Sequence, residues 1–375
     1  MKFMKAALIS LGSKSSQWTA EAMRKYFSDV DEIDLRELEV NLGGKHAEIL
    51  CAGKPFDLYD CIYLKGSFKY VQIISSIASV LKGKCYMPID ASAFTVGHDK
   101  LATHLIMQEH KIPMPPTYIS SNPAAAKNIL EKINYPIVMK FPQGTQGKGV
   151  MFADSFSSAS SMLDALSALN QPVIIQQFVD TSGEDIRAIV VGNKVVASMM
   201  RKAIEGEKRA NIHAGGIGCA CTIDAHTKKI AIQTAEAIGA EICAVDILES
   251  VKGPVVIEAN LSPGLQGITE ATKVNVADKI AKYLYDQSKK FRDGTISVET
   301  NKIMDDLGLE KNDLSTKKII TNLNFKLNRI ILPELITKIT KFDDRMDVEI
   351  SADKHSLIIT KAQSLPSEKG NSKKK

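Results

Sequence analysis

Apolar positions recur along the chain with two different periods. Over roughly the first 90 residues, short apolar runs alternate with amphipathic stretches. Ala6–Leu11, Val30–Leu35, Cys61–Lys65 and Cys85–Ile89 read as strands, and Ser16–Phe27 and Val71–Leu81 as helices. This alternation predicts a small parallel α/β layer. No Gly-x-Gly-x-x-Gly follows the first strand, which leaves a dinucleotide site there unsupported. A helix over His98–His110 leads into Lys111-Ile112-Pro113-Met114-Pro115-Pro116, held extended by its prolines. A strand at Tyr118, a helix over Ala124–Ile133, a strand at Ile137–Lys140, the loop Gly144–Gly149, a strand at Val150–Phe152 and a helix through Ser158–Leu169 follow. From Pro172 strands dominate: Val173–Gln177, Ile186–Val191, Val195–Arg201, Ile242–Leu248 and Val255–Glu258, with helices near Lys228–Ile238 and Val276–Ser288. The centre is therefore expected to be α+β and mostly antiparallel, with a hairpin signal at Val191-Gly192-Asn193-Lys194. Beyond Gly294 a helix-like stretch at Ile303–Leu307, the run Lys317–Ile331 and a strand pair at Val348–Ser351 and Ser356–Lys361 suggest an appended module.

A chain of 375 residues has room for two or three domains. No run approaches the roughly 18 apolar residues of a membrane span. The start, Met1–Ser10, is too short and lacks a small-residue cleavage site for a signal peptide, so it reads as a first buried strand. Six cysteines scattered through apolar runs behave as small hydrophobes and point to a reducing, cytoplasmic setting. The net charge of +5 is small, and much of it lies in the Ser/Gly tail with Lys369, Lys373, Lys374 and Lys375. That argues against a dedicated nucleic-acid binder and for a solvated terminus.

Two features carry chemistry. Gln143-Gly144-Thr145-Gln146-Gly147-Lys148-Gly149 joins two strands, and its glycines let backbone N–H groups turn toward phosphate oxygens. It is not a Walker A loop, and a flexible hairpin is an equal reading. Asp246, inside Ala244–Leu248, and Glu258, inside Val255–Asn260, put acids in apolar strands, where a charge is costly unless paired or metal-bound. Glu258 and Asn260 lie two apart, on one face of an extended chain and about 7 Å from each other. Oxygen ligands of this kind suit magnesium; the alternative is an edge strand whose acids face water. Lys140 ends a strand just before the glycine loop, placed to meet a phosphate that the loop cradles. Lys100, His213 and Trp18 read from sequence alone as a solvated helix lysine, an ordinary loop histidine and a packing residue.

The runs His98-Asp99-Lys100, Val138-Met139-Lys140, Gly144–Gly149, Gln176-Gln177-Phe178-Val179, Glu184-Asp185-Ile186-Arg187, Arg209-Ala210-Asn211, Val245-Asp246-Ile247-Leu248 and Glu258-Ala259-Asn260-Leu261-Ser262-Pro263-Gly264 resemble the ATP-grasp superfamily. The resemblance is to the RimK-like amino-acid ligases, which add glutamate to an acceptor carboxylate. It implies an ATP-grasp fold, α/β and α+β, with a Rossmann-like pre-ATP-grasp domain at 1–92 and a small subdomain at 93–170. A large metal-bearing subdomain at 171–292, a small α+β appendage at 293–363 and a basic tail at 364–375 complete the division. The resemblance further implies that Lys100 and Lys140 hold ATP phosphates under the loop of Gly144, Gly147, Lys148 and Gly149. Gln177, Phe178 and Val179 would meet adenine, with Asp185 near the ribose. Arg209 and Asn211 would contact the reacting phosphates. Asp246, Glu258 and Asn260 would carry two Mg2+ ions, with Mn2+ able to substitute. Arg187 and Arg201 would neutralise acidic substrate groups or form structural ion pairs.

The implied reaction joins an amino acid, glutamate, to a protein C-terminus or small-molecule carboxylate through an acyl-phosphate. Gln177 stands where these ligases usually have Glu, and Ala214 where the ribosomal-protein-modifying branch has Arg, so the acceptor stays open. The alternatives are another amine, in coenzyme or lysine-type biosynthesis, and a non-catalytic ATP-sensing regulator. The order Arg329–Leu335, Phe342–Ile350, Ser356–Lys361 resembles the swapped-hairpin module of AbrB-like transcription factors. That implies a homo-oligomer, and Asp343, Asp344, Asp347 and Glu349 weigh against DNA binding.

Overall fold

In the computed structural model, residues 3–120, 122–142, 149–168, 172–203, 217–306, 324–326, 329–331, 348–353 and 357–361 are described. Strand β1 (Lys5–Ser10) is buried from Ala6 onward on both faces, as a central parallel strand must be. Helix α1 (Lys14–Met23) starts at Ser13, whose hydroxyl accepts from the Ser16 N–H. Strand β2 (Asp29–Asp34) pairs with β1 in parallel. An antiparallel meander of β3 (Leu38–Asn41), β4 (Glu48–Cys51) and β5 (Lys54–Pro55), absent from the sequence reading, follows. Strand β6 (Cys61–Leu64) lies on the other side of β1, giving the order β2-β1-β6. Helices α2 (Val71–Leu81) and α3 (Ala91–Gly97) close this layer.

The apolar run Cys85–Ile89 is not a strand. It makes one parallel bridge, Tyr86 to Cys61, and one antiparallel bridge, Ile89 to Ala240. Pro88 has no N–H to continue a ladder, and its carbonyl instead accepts from Glu241 N–H at 2.8 Å.

Helix α4 (Lys100–Glu109) is capped by Asp99, which accepts from the N–H groups of Leu101 and Ala102 at 2.8 and 3.0 Å. The next sheet is built from β7 (Thr117–Ile119), β8 (Ile137–Lys140), β9 (Val150–Ala153) and β10 (Ile174–Gln177), in the antiparallel order β7-β10-β8-β9. Helices α5 (Pro123–Leu130) and α6 (Phe156–Ala168) cover it and supply a separate core with Leu130, Ile137, Met139, Leu163 and Ile175.

The largest sheet comprises β11 (Glu184–Val191), β12 (Lys194–Lys202), β13 (Ile217–Ala220), β14 (Ile242–Ser250) and β15 (Gly253–Asn260). Its order is β13-β12-β11-β14-β15, antiparallel throughout, and Gly192-Asn193 forms the predicted hairpin. Helix α7 (Ala225–Ile238) packs against it through Ile230, Ala231, Thr234 and Ile238. After α8 (Gln266–Thr272), α9 (Val276–Asp306) runs past Ser288, where the apolar pattern suggests its end. The chain divides into two units, Met1–Ser297 and Val298–Lys375. In the second, β16 (Asn324–Lys326) pairs with β17 (Arg329–Ile331) and β18 (Val348–Ala352) with β19 (Leu357–Lys361). Residues 332–347, which hold much of the run compared with the AbrB-like module, and the tail at 364–375 lie outside the described residues. Among the described residues no helix is long and apolar enough to cross a membrane.

Gly239 ends α7 with φ +80°, and its carbonyl accepts from Asp90 N–H at 2.9 Å, tying the end of the first layer to the large sheet. A Cβ there would come within 2.9 Å of Asp90 Oδ2. Gly239→Ala is expected to cost about 1–2 kcal/mol for the left-handed backbone, read by urea unfolding; an unchanged midpoint would show that this cap does not need glycine.

Candidate functional site

One face of the five-stranded sheet carries the chemistry. Arg187 on β11 stands opposite Asp246 on β14, and Asp246 opposite Glu258 on β15. Asn260, two residues along β15, shares that face. A bulge between Asp246 and Ile247 absorbs one extra residue of β15 below this row. Neighbouring strands lie about 4.8 Å apart, so two carboxylates are forced side by side, Asp246 2% exposed and Glu258 half-buried.

Arginines offset this crowding. Arg187 grips Asp246 in a fork, Nε to Oδ1 at 2.8 Å and an Nη to Oδ2 at 2.7 Å. Arg201, buried on β12, donates to the same Oδ2 at 2.8 Å and forks onto Asp185, with Nε to Oδ1 at 2.6 Å. Burial alone would raise the carboxyl of Asp246, but Arg187 and Arg201 hold it far below the ordinary carboxylate range. Glu258 goes the other way: burial and then the Asp246 charge push its carboxyl up, against the pull of Arg187 and Lys140. Both predicted uses of Arg187 and Arg201 began from a cation needing an acid, and here each is engaged by Asp185 or Asp246.

Two lysines approach Glu258, Lys140 from the four-stranded sheet and Lys100 from the start of α4. Lys140 closes β8 and donates to Gln176 Oε1 at 2.7 Å. The Gln176 amide then donates to Thr117 Oγ1 at 2.8 Å and to His104 Nε2 at 3.0 Å. His104 Nδ1 in turn bonds the carbonyl of Lys100, which as an acceptor fixes the proton on Nδ1 and leaves Nε2 to receive. Burial first, helped by the charges of Lys140 and Lys100, lowers His104 and keeps it neutral. Burial pulls the Lys140 ammonium down to about 8, while Glu258 supports its charge. Lys100 is lowered by burial and raised by Glu258, and its N–H bonds Pro142 O at 3.1 Å, joining the start of α4 to the exit of β8.

Sequence reasoning passed over His104 and the role of Gln176. The available signals were His104 four residues after Lys100, on one helix face, and a polar Gln176 in the otherwise apolar run Ile174-Ile175.

Of the predicted phosphate loop, Gln143–Lys148, with Gly144 and Gly147, lies outside the described residues; so do Arg209, Asn211 and His213. Gly149 is described: it has φ +77°, and a Cβ there would strike Phe141 at 2.2 Å, so only glycine fits. The N–H groups of Gln177 and Phe178 donate to the carbonyls of Pro116 and Pro136 at 2.9 and 3.2 Å, so neither is available to a base. The Phe178 ring meets Phe152 edge-on at 5.9 Å. Asn260 Oδ1 accepts from Ser262 N–H at 3.0 Å and retains a second lone pair. Among the described residues no three His, Cys, Asp or Glu side chains could hold a metal together. A divalent cation on this face would need the Asn260 amide oxygen beside Asp246 and Glu258, a donor set that suits a hard ion.

The architecture is the ATP-grasp fold. The RimK domain protein of Sphaerobacter thermophilus superposes with a TM-score of 0.58 at 20% identity, over 74% of this chain and 98% of that one. The ATP-grasp ligase PsnB, solved with a minimal precursor, Mg and ADP, gives 0.59 at 17% identity, over 76% and 98%. The family model of the RimK-like ATP-grasp domain matches residues 97–284. A probable alpha-L-glutamate ligase of Hydrogenovibrio crunogenus is 31% identical over 291 residues, 76% of this chain and 97% of the relative. The chain belongs to the RimK-like ATP-grasp family, and is an ATP-dependent carboxylate–amine ligase.

Arg201→Met strands Asp185 and half of the Asp246 clamp in a buried setting. It is expected to destabilise the protein by about 3–5 kcal/mol in urea unfolding, and a loss below about 1 kcal/mol would mean that the pairs behave as exposed ones.

Proposed function

We propose that this ligase joins L-glutamate to an acceptor carboxylate through an acyl-phosphate, using ATP and Mg2+. The observation that carries the reading is the crowding of Asp246 and Glu258 on one face, with Lys140 from the neighbouring sheet and Lys100 from α4 drawn to Glu258. Asp185, Asp246 and Glu258 face Arg187, Arg201, Lys100 and Lys140, so the assembly carries more cations than anions and suits a polyphosphate.

In this reading Lys140 and Lys100 receive the oxygens of the transferred phosphoryl group, whose charge spreads as the acceptor carboxylate attacks. The Gln176–His104 chain holds Lys140 in place beforehand, so little reorganisation is needed during the reaction. Mg2+, as two ions with Mn2+ able to replace it, would be held by Asp246, Glu258 and Asn260 and would act as Lewis acid and template. Arg187 and Arg201 fix Asp246 in its ionised form. The glycine loop would close over the phosphates and keep water from the acyl-phosphate, and Arg209 and Asn211 would contact the reacting phosphates. The amine of glutamate then displaces phosphate. The name of the Hydrogenovibrio relative supports glutamate as the amine, and the PsnB complex supports Mg and adenine nucleotide.

Glu258→Gln preserves shape but removes a negative ligand. ADP release with Mg2+, L-glutamate and a panel of acceptors is expected to fall about 100-fold or more, with the unfolding midpoint kept. Near-normal ADP release in this variant would overturn the metal assignment. In the same assay on the unaltered chain, mass spectrometry of the acceptors reports the added amino acid; another residue in place of glutamate would retain the chemistry and replace the substrate.

A further inference from the structure

Lys65 is a buried cation that the chemistry above does not use. It follows β6 directly, and its own N–H donates to Ile9 O at 2.8 Å, at the carboxyl end of β1. It is 4% exposed. Its ammonium stands 5.7 Å from the centroid of the Tyr63 ring, and among the described residues no carboxylate or other acceptor pairs with it. Burial pulls that ammonium down to about 8, which still leaves it charged at neutral pH. Tyr63, two residues back on the same face of β6, carries a hydroxyl that is itself buried without a partner. A lysine 4% exposed with no carboxylate beside it among the described residues is costly, and together with the orphaned Tyr63 hydroxyl it calls for an external acceptor.

The surroundings say where that acceptor would come from. Gly66 N–H donates to Ser262 Oγ at 2.9 Å, and Ser262 N–H to Asn260 Oδ1 at 3.0 Å. Leu265 N–H donates to Ser15 Oγ at 2.8 Å. The carboxyl ends of β1 and β6 therefore meet the loop that leaves the acidic face, and in open parallel sheets ligands bind at such strand ends. Ser262 links Lys65's neighbour to Asn260 through two consecutive hydrogen bonds.

We propose that the Lys65 ammonium binds a substrate carboxylate that is not itself phosphorylated, and so positions that substrate against the acidic face. The inference rests on the ligase reading. The carboxylate could be the α-carboxylate of the incoming amino acid or a second carboxylate of the acceptor, and a single set of measurements separates these sources.

The test uses the full chain, as wild type, Lys65→Met and Lys65→Arg, with the Lys65 ε-methylene NMR signal assigned by its loss in Lys65→Arg. With a non-hydrolysable ATP analogue and Mg2+ present, L-glutamate, other amino acids, and succinate and glutarate are added in turn. The expected result is that one group of carboxylates moves the signal: amino acids if the amine substrate supplies the group, dicarboxylates if the acceptor does. Lys65→Met should weaken that ligand about 10- to 100-fold, Lys65→Arg should restore it to within about threefold, and nucleotide affinity should stay unchanged in both. Because the lysine has no partner among the described residues, Lys65→Met should unfold at the same or higher urea concentration than wild type. A signal that no carboxylate moves, or an unchanged affinity in Lys65→Met, overturns the proposal, as does a lower unfolding midpoint, which would mark Lys65 as structural. Failure of the ligase reading shows separately, as absence of acceptor-dependent ADP release in the wild type.

Discussion

The structure turns on one electrostatic constraint: the buried Asp246 and the half-buried Glu258 sit opposite each other on adjacent strands. Two such charges cannot share a low-dielectric site unless cations compensate them. Arg187 and Arg201 do so for Asp246, and the cost shifts to Glu258, whose carboxyl is pushed up. Glu258 is thus the group with most to gain from a further positive charge. Lys140 from a second sheet and Lys100 from α4 meet that demand in part, and a divalent cation carried with a nucleotide would meet the rest.

The fold supplies these charges from separate places. The five-stranded sheet fixes acids and arginines in register, where the antiparallel ladder sets the row Arg187–Asp246–Glu258. The four-stranded sheet presents Lys140, and α4 presents Lys100, tied together through Pro142 and through His104 and Gln176. Among the described residues named for the site, Gly149 takes the left-handed backbone that favours glycine.

Much of this was legible in the chain. Acids inside apolar strands stand out because burial of an unpaired charge is so unfavourable, and Asp246 and Glu258 announced themselves in that way. The resemblance pointed to Arg187 and Arg201, with an ion pair as one of two roles, but not to the acids they grip, because cross-strand register between residues 59 and 45 positions apart is set by the folded sheet. The link from Gln176 to His104 spans 72 positions and was equally hidden. Cys85–Ile89 misled because apolar composition outweighed the single Pro88, and the end of α9 was misplaced because the helix continues through Gly294 and a polar stretch. Lys65 drew no attention, since a lysine closing a strand is ordinary until its burial and lack of a partner are seen.

The central claim is that the acidic face receives a metal–nucleotide complex. The most direct measurement is a crystal structure of the full chain with a non-hydrolysable ATP analogue and Mn2+, using the anomalous signal of manganese to find the ion. The account predicts anomalous peaks bonded to Asp246, Glu258 and Asn260 and to the terminal phosphates, with Lys140 against the same phosphates. A nucleotide bound elsewhere, or one bound here with Glu258 and Asn260 uncoordinated, would contradict it.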